Sequence, residues 1–179
     1  MCLTPIQAIH DANVVIIGVG SEFGINIEAA VSQNSVYKTY IRWRKDKGFN
    51  HKEINEYIIN SIYSHELSSG TNELILKHTD TYNKLFRGIK DKEYFVVTTC
   101  TDHIIYYSQF DKERITAPCG SVLRLQLSCV CDNGGNGISE GEEVLKNIYE
   151  KLESMGENID PDVLSEMIPK CSECKAPLI

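Results

Sequence analysis

Val14-Val15-Ile16-Ile17-Gly18-Val19-Gly20-Ser21-Glu22-Phe23-Gly24 is the stretch on which the fold turns. A short β-branched run ended by glycine reads as a buried strand of a parallel sheet, where both faces meet apolar neighbours. Glycines 18, 20 and 24 lack the Cβ that would hold a backbone N–H away from a phosphate. A strand entering Gly-x-Gly-x-x-x-Gly therefore suits a pyrophosphate, with one residue more than the common G-x-G-x-x-G spacing. A plain glycine-rich turn in any α/β protein accounts for the same residues.

Outward from that stretch, Ile25 to Val31 begins a helix. Asn50 with Glu53 three residues later predicts a capping box. The helix it opens runs to about Leu67, with Ile54, Tyr57, Ile58 and Ile62 on one face. Thr71 to Ile89 predicts another, with Leu74, Ile75, His78, Tyr82, Leu85 and Phe86 inward. Tyr94 to Thr99 is a second buried apolar strand, and Asp102 to Phe110 turns back as helix. Strand, helices, strand, helix is the order that builds a parallel sheet.

The character changes near residue 119. Val122, Leu123, Leu125 and Leu127 suggest a short strand leading to Cys129, and Asp132 to Gly141 reads as a flexible loop. Val144, Leu145, Ile148, Leu152 and Met155 trace a helix face. Asp160 followed by Pro161 starts one more helix, Asp as N-cap and Pro at the first helical position.

The chain has 179 residues, 42% hydrophobic and 24% charged, enough to bury a core. A formal charge of −7 argues against nucleic acid as a partner, and the basic run Arg42, Arg44, Lys45, Lys47 reads as a solvated face. The apolar stretch near the N-terminus has no basic residues before it and is too short to span a bilayer, so the expectation is a cytoplasmic protein without a membrane partner.

Seven cysteines in a reducing compartment point to metal or chemistry rather than disulfides. Zinc takes four soft ligands in a tetrahedron, and Cys171-x-x-Cys174 with the less usual Cys129-x-Cys131 supplies them in two pairs. Buried thiols are the plainer alternative. Cys100 and Cys119 each follow a strand-like segment, where α/β proteins place ligand and catalytic groups, so each is a candidate nucleophile or acid/base, or an inert thiol. Asp102 beside His103 is either a polar pair at a ligand site or a helix start.

In order, Val14-Val-Ile-Ile-Gly-Val-Gly-Ser21, Tyr94-Phe-Val-Val-Thr-Thr-Cys-Thr-Asp102-His103, Ala117-Pro-Cys-Gly-Ser121 and Ile168-Pro-Lys-Cys-Ser-Glu-Cys-Lys-Ala-Pro-Leu178 resemble the sirtuins (Sir2 family) over nearly the whole chain. The likeness is nearest to the microbial branch that includes macrodomain-linked members. It implies a Rossmann-like parallel sheet with an inserted small zinc-binding module. Residues 1–121 would be the NAD-binding part, and 122–179 the zinc module with a helical insert. It also implies NAD-dependent removal of acyl groups from lysine, or ADP-ribosyl transfer to protein. NAD and zinc would be the cofactors. An acylated or ADP-ribosylated protein would be the partner, a macrodomain protein among the candidates. Gly18, Gly20 and Ser21 would then line the pyrophosphate, and Thr98, Asp102 and His103 the nicotinamide ribose. Cys129, Cys131, Cys171 and Cys174 would hold zinc.

The pattern departs from the family at three places. Cys100 stands where the family has asparagine, and Cys119 where it has the general-base histidine. A neutral thiol accepts a ribose proton poorly. Leu127 holds the usual position of the first zinc cysteine, with Cys129 as substitute. In the family the chain continues past the second cysteine pair into strands that hold the adenosine end. The sequence given ends five residues after Cys174, so that half is expected to be missing from it. Three functions follow as expectations: an NAD-dependent transferase using Asp102, a zinc-stabilised module impaired in catalysis, or a transferase with Cys119 as nucleophile.

Overall fold

The computed structural model describes residues 4–126 and 138–170. Its elements run α1 Pro5–Asp11, β1 Val14–Val19, α2 Ile27–Val31, α3 Ser35–Lys47, α4 Lys52–Ser69, α5 Glu73–Arg87, β2 Glu93–Thr98, β3 Ile115–Thr116, β4 Arg124–Gln126, β5 Ile138–Glu140, α6 Gly141–Met155 and α7 Pro161–Met167. Short 3-10 turns occupy Ser21–Phe23, Ile104–Tyr107 and Lys112–Arg114. The chain is mixed α/β. Its described residues fall into two compact units, one within Met1–Ile25 and Glu73–Ser121, the other within Asn26–Asn72 and Val122–Ile179. The expected boundary at 121 is one crossing between them, and residues 26–72 group with those from Val122 onward.

The first unit holds a parallel three-stranded sheet in the order β1-β2-β3. β1 and β2 pair from Val14↔Glu93 to Val19↔Thr98, and Val96 pairs with Ile115. Alternation follows the pleat: Tyr94, Val96 and Thr98 are buried, whereas Val14, Ile16, Phe95 and Val97 are exposed. This corrects the expectation of strands buried on both faces, because apolar composition fixes what a strand can bury and not whether a second layer covers it. A T-shaped trio of Phe86, Tyr94 and Phe110, with centroids 5.4 to 6.0 Å apart, fills the covered side near the start of β2. Arg114 lies over the Tyr94 ring and pairs with Glu93 at 2.8 Å.

Several boundaries shift from the sequence reading. The helix expected over residues 102–110 is only the turn Ile104–Tyr107, because His103 enters it with φ 66° and Gln109 N–H donates to Asn83 Oδ1 (2.8 Å) instead of continuing a helix. On α5, Ile75 and Tyr82 are buried while Leu74 and Leu85 are exposed. Ile138–Glu140 pairs antiparallel with β4 inside the segment expected to be loop.

The second unit centres on α4, which packs against α2, α3 and α6. α3 buries Val36, Tyr40 and Trp43 at helical spacing beneath the basic run. It ends at Gly48 in the left-handed region, with Phe49 N–H returning to Arg44 O. Phe49 then packs against Trp43 (5.1 Å), and α4 starts one residue later than a capping box at Asn50 requires. His51 takes the cap position without a side-chain bond, so the predicted capping box does not form. Glu66 accepts amide protons from Asn34 (2.7 Å) and Asn72 (2.8 Å), tying the start of α3 to the end of α4. Among the described residues no helix is long and apolar enough to cross a membrane.

Burial pushes the hydroxyls of Tyr40 and Tyr57 up to about 12. Their surroundings differ: Tyr40 donates to the buried Asn55 Oδ1, whereas the Tyr57 hydroxyl has no hydrogen-bond partner. Tyr40→Phe, which orphans a buried acceptor, is expected to cost about 1–3 kcal/mol. Tyr57→Phe is expected to be neutral or stabilising, and urea denaturation of both variants distinguishes these outcomes.

Candidate functional site

Parallel pairing of Val19 with Thr98 sends the segments after β1 and β2 out at the same edge of the sheet. Thr99 N–H extends the ladder one step by donating to Val19 O (2.9 Å). After β1 the chain turns tightly, with Phe23 N–H to Gly20 O and Gly24 N–H to Ser21 O, both 3.0 Å. After β2 the fully buried Thr98 hydroxyl accepts from Cys100 N–H (3.0 Å) and directs the Cys100 thiol back to Gly20 O (3.1 Å).

Asp102 joins the two segments. Its carboxylate is 3% exposed; Oδ2 accepts from Ile25 N–H at 2.9 Å, and Oδ1 from Ile104 N–H at 3.0 Å. A charged acceptor with two backbone donors is a strong tie in a buried setting. Gly24 eases it: a Cβ there would crowd the clamp, 3.2 Å from Asp102 Oδ2 and 3.1 Å from Ser21 O. Gly20 has an ordinary backbone (φ −77°), but the Glu22 carboxylate folds into the space its Cβ would fill.

Beneath the turn, Phe23 packs against His78 (5.3 Å) and Tyr82 (5.0 Å) of α5. The Tyr82 hydroxyl is fully buried and lacks a hydrogen bond of ordinary geometry, as does His78 Nε2. Burial first, then the Asp102 carboxylate and the Cys100 thiol, hold the Tyr82 phenol far above its usual range.

The segment after β3 reaches the same edge. Gly120 (φ 78°) closes a turn by donating to Ala117 O (3.0 Å), Cys119 is exposed, and Ser121 Oγ bonds His103 Nδ1 at 2.8 Å.

Of the residues expected in the site, Gly20, Ser21, Thr98, Cys100, Asp102 and His103 gather at the carboxyl ends of β1 and β2. Gly18 is a strand residue paired with Val97. Cys119 stands on the β3 turn. Sequence reasoning missed Glu22, Tyr82, Ser121 and the Ile25 amide. Nothing about an isolated Ser121 marks it, whereas the odd Gly24 spacing was the visible trace of Asp102. Cys129, Cys131, Cys171 and Cys174 lie outside the described residues. Among the described residues no group of three or more His, Cys, Asp or Glu side chains is arranged to hold a metal.

Compared with known proteins, the chain matches no family model, and no curated protein matches it significantly.

Asp102→Asn keeps the size but offers one acceptor oxygen for two N–H groups, and is expected to cost about 1.5–3 kcal/mol. Gly24→Ala is expected to cost about 1–3 kcal/mol by overpacking the same carboxylate. Because both act on one contact, the double variant should cost less than the sum in a thermodynamic cycle. Simple additivity contradicts the coupling.

Proposed function

We propose that this chain is a sirtuin-like NAD-binding protein that removes acyl groups from protein lysines or transfers ADP-ribose to protein. One observation carries the reading: a buried aspartate clamps a glycine turn to the neighbouring strand's exit at the carboxyl edge of a parallel sheet. Open α/β sheets take nucleotides at that edge. The residues present fit such a ligand. Gly20 keeps its Cα face free of any Cβ, and the exposed, flexible Glu22 side chain that covers it can turn outward. The buried Tyr82 hydroxyl, without a hydrogen bond of ordinary geometry, lies beside Cys100 and Asp102 beneath the turn.

Bound NAD would supply the ADP-ribosyl group. This chain's own part is to bind and orient: Gly20 and Ser21 on the pyrophosphate side, Thr98, Asp102 and His103 on the ribose side. Asp102 is already committed to two backbone N–H groups, so its role is to hold the turn's shape. The protein partner would be an acylated or ADP-ribosylated one, with a macrodomain protein as one candidate.

A second reading, a binding module impaired in catalysis, draws support from Glu22, whose carboxylate occupies the place of an anion, and from Cys119 at the base position. Nicotinamide release from NAD separates the two, and a melting shift tests nucleotide binding itself. At ten times its Kd, NAD should stabilise the chain by about 1.4 kcal/mol, raising Tm by roughly 3–6 °C. An unmoved Tm at millimolar NAD contradicts nucleotide binding.

Four thiols are a donor set that suits zinc, and Cys129, Cys131, Cys171 and Cys174 would hold it as a structural ion. Metal analysis of the purified chain is expected to give one zinc per chain, lost in a Cys171→Ser, Cys174→Ser variant. A metal-free wild-type chain that folds normally contradicts the zinc site.

A further inference from the structure

The basic run near the end of α3 divides between two cavities of the second unit. One, of about 330 Å³, is lined by Thr39, Arg42, Trp43, Asp46, Lys47 and Glu157. Its two cations are matched by two carboxylates, with Arg42 at 3.7 Å from Glu157, so its charge is balanced within the chain. The other, of about 390 Å³, is lined by Ile41, Arg44, Lys45, Gly48, Phe49 and Asn50, with no carboxylate among them. Arg44 and Lys45 make no ion pair with the described residues. Capping does not occupy them either, because the carbonyls of Arg44 and Lys45 accept the N–H groups of Phe49 (3.0 Å) and Gly48 (3.3 Å). The negative end of the helix favours cations here, yet supplies no anion for their N–H groups. Half-buried Ile41 and Phe49 form the apolar wall, and the buried Trp43 backs Phe49 at 5.1 Å.

We propose that the Phe49 cavity is a binding site for a small amphipathic anion, an apolar chain or ring ending in a carboxylate or a phosphate. The anionic head meets Arg44 and Lys45, and the apolar body lies against Ile41 and Phe49. The volume is that of a small-molecule site, and an apolar wall with a few polar groups is what such sites use to orient a ligand. A guanidinium takes either head through two parallel N–H···O bonds, and a lysine beside it adds a point charge. A cationic head meets repulsion there, and a bare anion such as acetate forgoes the apolar wall. The site belongs to the second unit and stands independently of the nucleotide reading.

The test titrates the full chain with octanoate and with octyl phosphate, read through the emission of Trp43, the one tryptophan in the chain. At least one of the two should give a saturable change, and the tighter of them tells a carboxylate ligand from a phosphate one. Acetate, inorganic phosphate and octyltrimethylammonium should bind at least about tenfold more weakly. Backbone amide shifts on binding should centre on residues 41–50. Arg44→Gln combined with Lys45→Gln is expected to weaken binding about tenfold or more while Tm changes little, because both side chains are at the surface. Lys77→Gln, the same loss of charge at an exposed position of α5, should leave binding unchanged. Added salt should weaken binding, since the two cations face solvent. The absence of saturable binding by both probes at millimolar concentration overturns the site. So does equal binding of octyltrimethylammonium, undiminished binding in the double variant, or amide shifts centred elsewhere.

Discussion

The Asp102 carboxylate is the constraint on which the first unit's functional edge depends. Two strand exits lie side by side because their strands pair in parallel, but pairing leaves the exits themselves unfixed. Asp102 fixes both, taking one N–H from the turn after β1 and one from the turn after β2. Other features surround that tie. A Cβ at Gly24 would crowd that carboxylate, and beside the tie Cys100 is aimed at Gly20 while His103 takes a left-handed backbone before the Ile104–Tyr107 turn. A buried carboxylate that accepts backbone N–H groups from two turns is well suited to positioning.

The second unit uses the same device for a different purpose. Glu66 receives Asn34 and Asn72 on its two oxygens, and Asn34 also caps α3 through Val36 and Tyr37 N–H. One carboxylate therefore ties a helix start to a helix end, while α4 buries residues on several sides as the unit's central helix. His65 stacking on Tyr149 at 3.8 Å joins α4 to α6. The core here is made by helix packing, and its cost lies in buried hydroxyls such as Tyr57 that find no partner.

What could be read from residues alone was the part set by local chemistry. The β-branched run at Val14 and the apolar run at Tyr94 were legible as strands, and Asp160-Pro161 as a helix start, because each carries its own backbone preference. α3 went unread although Val36, Tyr40 and Trp43 sit at helical spacing, since its basic residues dominated the pattern. The Asn50 cap failed because the close of α3 at Gly48 and Phe49 set where the next helix could begin. In the site, Gly20, Asp102 and Cys100 were recognisable by type and spacing. Ser121 and Tyr82 were not, because their roles arise from neighbours distant in sequence. The exposed face of Val14, Ile16, Phe95 and Val97 was equally hidden, as only the sheet's surroundings decide how many sides of a strand are covered.

The central claim is that the turn clamped by Asp102 is where a nucleotide sits, and amide hydrogen exchange with and without NAD tests it most directly. The account predicts that NAD slows exchange selectively at residues 18–25 and 98–104, leaving α3 and α4 unchanged. Protection confined to other segments, or none at saturating NAD, would contradict it.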